Sequence, residues 1–108
     1  MTVNELAARE GINPIVISDG EREITGGYAG DLLSWVMGRA SSGDAWITIM
    51  SNINIAAVAA LTDVACILLA EGVVLDESVR SVAADKGINV LSSEKTAFEL
   101  AAIIAAAL

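Results

Sequence analysis

The stretch that decides the fold is Ala45–Gly72, AWITIMSNINIAAVAALTDVACILLAEG. It opens with Trp46-Ile47-Thr48-Ile49-Met50. Large side chains fall on both alternating sets of positions, as in a strand covered on both faces. Ser51-Asn52-Ile53-Asn54 ends that run, and Asn52 or Asn54 is suited to cap a helix. Ile55–Leu61 is apolar at every position. A helix without a polar face is covered on more than one side. Cys66-Ile67-Leu68-Leu69-Ala70 is then a second unbroken apolar strand, closed by Glu71-Gly72. A strand, a helix and a strand in direct succession predict a crossover between parallel neighbours.

The pattern repeats downstream. Asp76–Lys86 is amphipathic, with Val79, Val82 and Ala83 facing inward and Gly87 as its stop. Ile88–Ser92 is the next strand. Strand starts at residues 46, 66 and 88 leave room each time for one helix and two short loops. The expected architecture is a three-layer α/β/α sandwich with a mainly parallel sheet of four to five strands and right-handed crossovers. Upstream, Ile15-Val16-Ile17 and the segment from Ile24 to Tyr28 extend the sheet. Thr2…Glu5 and Thr96…Glu99 have capping-box spacing, each opening a helix, and the second helix runs to the C-terminus. Asp31 is the expected N-cap of a helix whose apolar arc holds Leu32, Leu33, Val36, Met37 and Ala40.

The chain has 108 residues, so a single domain over 1–108 is expected. Hydrophobic residues make up 55% and aromatics only 4%, so the core is built of Ala, Val, Ile and Leu. Fourteen acidic residues face six basic ones, a net charge of −8, which argues against a nucleic-acid partner. The chain contains no histidine, which excludes a histidine-based triad and a histidine-ligated metal. Its single cysteine, Cys66, allows no disulfide framework and reads as a small buried hydrophobe. MTVNELAARE, residues 1–10, lacks the apolar run of a signal peptide. Ile55–Leu61, Val64–Ala70 and Ala101–Leu108 all fall short of the ~20 residues of a membrane span. A cytoplasmic protein without a membrane partner is expected.

Two groups of residues are candidates for ligand contact. In Thr25-Gly26-Gly27 the backbone could meet a neutral ligand, or the glycines could only turn the chain. GGYAGD (26–31) has neither the G-x-G-x-x-G spacing nor the Lys that follows a phosphate-binding loop. Ser51, Asn52, Asn54, Glu71, Ser92 and Ser93 lie just past strands, where open α/β sheets bind ligands, although Asn and Ser are also the usual caps and turn residues there. Asp31, Asp63, Glu71 and Asp76-Glu77 are scattered, so no metal site, resident cofactor or catalytic residue is expected. Trp46 reads as core. Trp35 lies off its helix's apolar arc, and Ala56, Ala59 and Ala60 permit close backbone approach. Together these residues suggest a homodimer interface.

ITGGYAGDLLSWVM (24–37), AWITIMSNINIAAVAAL (45–61) and GINVLSSEKTAFELA (87–101) resemble, in that order, the DRTGG domain family. The resemblance spans roughly residues 15–103 and is closest to single-domain bacterial members associated with iron-only hydrogenase genes. It implies an α/β fold related to the N-terminal domain of HPr kinase/phosphorylase. Other members are fused to CBS regulatory domains or phosphotransacetylase-type enzymes, which implies regulation or ligand sensing. Of the namesake motif Thr25-Gly26-Gly27 stands here, with Glu23 and Ile24 in place of its Asp and Arg. The resemblance brings no catalytic residues. The expected function is a non-enzymatic, homodimeric regulatory domain binding a small metabolite or adenine nucleotide. The alternative is a ligand-free accessory module of hydrogenase-type redox machinery, with a redox enzyme as partner.

Overall fold

Five strands form one sheet: β1 (Asn13–Val16), β2 (Gly26–Ala29), β3 (Asp44–Thr48), β4 (Cys66–Leu69) and β5 (Val90–Ser92). Their order is β1-β5-β4-β3-β2 in the computed structural model, which describes residues 1–108. β2 to β5 pair in parallel, each beside its predecessor, and β1 closes the far edge antiparallel to β5. Successive parallel neighbours advancing in one direction, with crossovers of one hand, put their connecting helices on one face. Those helices are α2 (Leu33–Arg39), α3 (Asn54–Thr62) and α4 (Glu77–Asp85). The opposite face is left to α1 (Val3–Ala7) and α5 (Ala97–Ala107). The result is the expected three-layer sandwich.

Period-two alternation along the strands divides the core. Trp46, Ile67, Leu69 and Val90 point to one side, where they pack with Val36, Ile55, Val58, Val79 and Ala83. Ala45, Ile47, Cys66, Leu68 and Leu91 point to the other, against Val3, Leu6, Leu100 and Ile104. Every residue of β3 and β4 is buried, so the continuous apolar runs of the sequence are the signature of a centre covered twice. Each fully buried Leu in β4 contributes about 1.5–3 kcal/mol over an exposed one. Trp46 is wholly buried, and its indole N–H donates to the Gly30 carbonyl at 2.9 Å.

Both capping boxes form. Thr2 and Glu5 close the start of α1, and Thr96 and Glu99 close the start of α5. Two other expectations need correction. The N-cap of α2 is Leu32, without a side-chain cap, because Asp31 is engaged elsewhere. α3 is not covered all round: Ala56 and Ala59 are buried in the chain's own core, while Ala60 and Leu61 face outward, Leu61 at 72% exposure. Ala56 and Ala59 are therefore unavailable to a partner subunit.

Pro14 and a bulge between Pro14 and Val16 sit in β1, an edge strand that tolerates both. Beyond β1 the chain is held by Asn89, which is buried. Its Oδ1 accepts the N–H groups of Ser18 and Asp19 at 2.8 Å each. Its Nδ2 donates to the carbonyls of Asp19 at 2.8 Å and Ala65 at 2.9 Å.

Candidate functional site

At the carboxyl end of β3, the Thr48 hydroxyl donates to Asp31 Oδ1 at 2.8 Å and accepts the Met50 N–H at 3.1 Å. The same Asp31 oxygen accepts the Ile49 N–H at 2.9 Å. Asp31 thus ties the β2–α2 loop to the end of β3. Asn52 Oδ1 accepts the Asn54 N–H at 2.9 Å in an Asx turn just before α3, but the N-cap is Ile53 without a side-chain bond, so the expected Asn52 or Asn54 cap is corrected. Ser51 is half-buried, and the Asn54 side chain is exposed.

At the end of β4 two successive residues take left-handed backbone angles, Glu71 with φ 61° and Gly72 with φ 73°. Glycine adopts that region freely, whereas a glutamate there is strained. Neither N–H is free: Glu71 donates to Lys95 O and Gly72 to Ser93 O, both at 2.9 Å. At the end of β5, Ser93 is buried. Its hydroxyl donates to Gly11 O at 2.6 Å and accepts the Lys95 N–H at 3.1 Å. That engagement ties the end of β5 to Gly11 and the Lys95 backbone. The Ser92 hydroxyl is half-buried.

Ser92 lies in a cleft of about 230 Å³ between β5, β1 and the β4–α4 loop. Ile15, Leu69, Val73 and Leu75 make its apolar wall, and Asn13, Arg80 and Glu94 its polar rim. The sequence reading missed those three rim residues. Arg80 sits on the first turns of an amphipathic helix that follows a strand end, a position that could have suggested it. Asn13 gave no such signal, because β1 pairs with β5 across the whole chain. A second hollow, of about 310 Å³, opens between Asp31, Thr48, Ile49, Glu71 and Ala97. Glu71 therefore lines a different hollow from Ser92. Ser51, Asn52 and Asn54 line neither.

Thr25, Gly26 and Gly27 belong to the opposite end of the sheet. Gly26 and Gly27 lie in β2, paired with Asp44 and Ala45 at the start of β3. A Cβ on Gly26 would stand 2.6 Å from Asp44 Oδ1, and one on Gly27 would stand 3.3 Å from Ile104 Cγ2 of α5. The glycines lie in β2, as the sheet-extending reading of Ile24–Tyr28 expected, and their missing side chains allow close packing, so the reading of them as a turn is corrected. Nearby, the Arg22 guanidinium donates to Asp63 Oδ1 at 3.0 Å and to the Asp63 carbonyl at 2.9 Å. Arg22 and the Ser42 hydroxyl hold the Asp63 carboxyl below its ordinary value.

No three His, Cys, Asp or Glu side chains are arranged to hold a metal ion. Desolvation pushes the Cys66 thiol up to about 12, and the residue is fully buried, so it is inert as a nucleophile. Trp35 is 51% exposed, with the Arg39 guanidinium 3.7 Å from its ring centroid. No helix is long and apolar enough to cross a membrane.

The chain is a three-layer α/β/α domain whose mixed sheet opens at its strand ends to a small cleft. The DRTGG domain matches residues 31–107, and the chain belongs to that family. The matched range begins at Asp31, past Thr25-Gly26-Gly27. Among solved structures, the fold is similar to that of the CBS and DRTGG domains of the regulatory region of Clostridium perfringens pyrophosphatase, complexed with its activator diadenosine tetraphosphate. The TM-score is 0.75 at 14% identity, over 95% of this chain and 45% of that one. This chain thus corresponds to less than half of that region. No curated protein matches.

Proposed function

We propose that the chain is a non-catalytic regulatory domain that binds a small polar metabolite in the Ser92 cleft, with adenine nucleotides as the first class to test. The observation that carries this reading is the cleft. It sets a half-buried hydroxyl, an amide and one guanidinium around an apolar wall, at the strand ends where such sheets bind ligands. Membership of a family whose solved relative lies in an enzyme's regulatory region supports it. Calorimetric titration of the intact chain with adenosine and its phosphates tests it. Saturable binding is expected, weakened about two- to tenfold by Ser92→Ala, the range for one neutral hydrogen bond. Flat titrations with the whole set reject it. We extend the proposal to a homodimer that meets through the outer surfaces of α2 and α3, where Trp35 and Leu61 are exposed.

A second reading, an accessory module docking on hydrogenase-type redox machinery, rests on a different observation. Leu32, Ile49, Ile53 and Phe98 are exposed around the carboxyl end of the sheet, Phe98 at 84%. Under this reading the chain co-purifies with a hydrogenase subunit without a bound metabolite, and Phe98→Glu releases it.

A further inference from the structure

The Ser92 cleft has little positive charge. Arg80 is the one basic side chain lining it, and its guanidinium already lies 3.8 Å from the Glu77 carboxylate. Glu94 adds a second carboxylate on the rim. Polyphosphates are held by clustered Lys and Arg, or by consecutive free N–H groups at a glycine-rich turn or helix start. At the Glu71-Gly72 turn, the N–H groups of Glu71, Gly72 and Ser93 all donate to carbonyls, each at 2.9 Å, so these three do not form a phosphate cradle. The start of α4 carries Asp76 and Glu77, which place negative charge where a phosphate would sit. The surrounding chain is at −8.

We propose that the ligand is a nucleoside carrying at most one negative charge, and that the cleft discriminates against polyphosphates. The base lies on Ile15, Val73 and Leu75 with its polar edge at Ser92 and Asn13. Glu94 accepts a hydroxyl or amine, and Arg80 balances a single anionic group. This inference rests on the small-ligand reading of the same cleft and departs from the chemistry of the activator bound by the pyrophosphatase region.

The test is calorimetry on the intact chain at neutral pH, in buffer free of divalent metal, with four probes: adenosine, adenosine 3′,5′-cyclic monophosphate, which carries one negative charge, ATP and diadenosine tetraphosphate. Adenosine is expected to bind at least about tenfold more tightly than ATP and than diadenosine tetraphosphate, since each added charge meets the Glu77 and Glu94 carboxylates. Glu94→Gln, which keeps the shape and removes a charge, should narrow that gap. Arg80→Ala should weaken the monophosphate and leave adenosine unchanged. Both positions are exposed, and circular dichroism checks that the variants fold. ATP or diadenosine tetraphosphate binding as tightly as adenosine overturns the inference and leaves the ligand-binding reading standing. Absence of binding by all four probes overturns that reading as well.

Discussion

Asn89 is the side chain whose loss should cost most for its size. Its amide group makes four hydrogen bonds, which join the Ser18-Asp19 turn to the start of β4. Asn89→Leu strands two N–H groups and leaves two carbonyls short of a donor. We expect a loss of about 2–4 kcal/mol in urea denaturation, with little change in the slope. A loss below about 1 kcal/mol would show that water replaces the amide. None of this was legible in the sequence, where Asn89 is one polar letter in an apolar strand, because its partners lie 24 and 70–71 residues away. The same reason explains the missed ties of Ser93 and Asp31. Both residue types suit a cap or a ligand by local rules, and both are engaged by backbone that only the folded chain brings near. Gly26 and Gly27 fall in a segment read both as sheet and as turn; they lie in β2, and local rules did not show that their missing side chains let α5 and Asp44 approach.

Elements with local causes were readable. The Thr2…Glu5 and Thr96…Glu99 boxes need only four residues each, and both form as read. Thr96→Ala should destabilise the chain by about 1 kcal/mol. The caps also set a pH dependence. Backbone and side-chain hydrogen bonds from Thr2 and Thr96 hold the Glu5 and Glu99 carboxyls below their ordinary value of 4.5, and Arg22 holds Asp63 below 3.8. A carboxyl whose folded value is depressed stabilises the fold fully above its unfolded value, and that contribution is lost as pH falls through the folded one. Thermal midpoints should therefore stay level from neutral pH to about 5 and fall below about 4, with the fall reduced in a Thr2→Ala, Thr96→Ala double variant. A midpoint unchanged down to pH 3 would contradict this. α3 was read less well. Its uniform apolarity is real, but three outward positions hold Ala57, Ala60 and Leu61, and composition alone does not say which side is covered.

For the whole molecule, strand spacing was enough to give the three layers and the parallel centre, since each crossover is complete within its own segment. The antiparallel β1–β5 pair was not legible, because its register joins Asn13 to Ser92. Neither was the cleft rim that depends on that pair. Assembly is the open question at this scale. If α2 and α3 form the dimer surface, sedimentation equilibrium at micromolar concentration should report twice the 11.1 kDa chain mass, and Trp35→Glu should return it to the monomer. A monomeric wild type refutes the dimer outright.

The β1–β5 pair also orders events in time. β2 to β5 can assemble by adding each strand beside the one just made, which keeps loop closures short. β1 has no neighbour until β5 exists. During synthesis residues 1–4 can pair at once with 20–24, whereas β1 is seated only after Ser92 has emerged. When it docks, it seals one edge of the sheet, and in the same movement Asn13 and Ile15 complete the wall of the cleft.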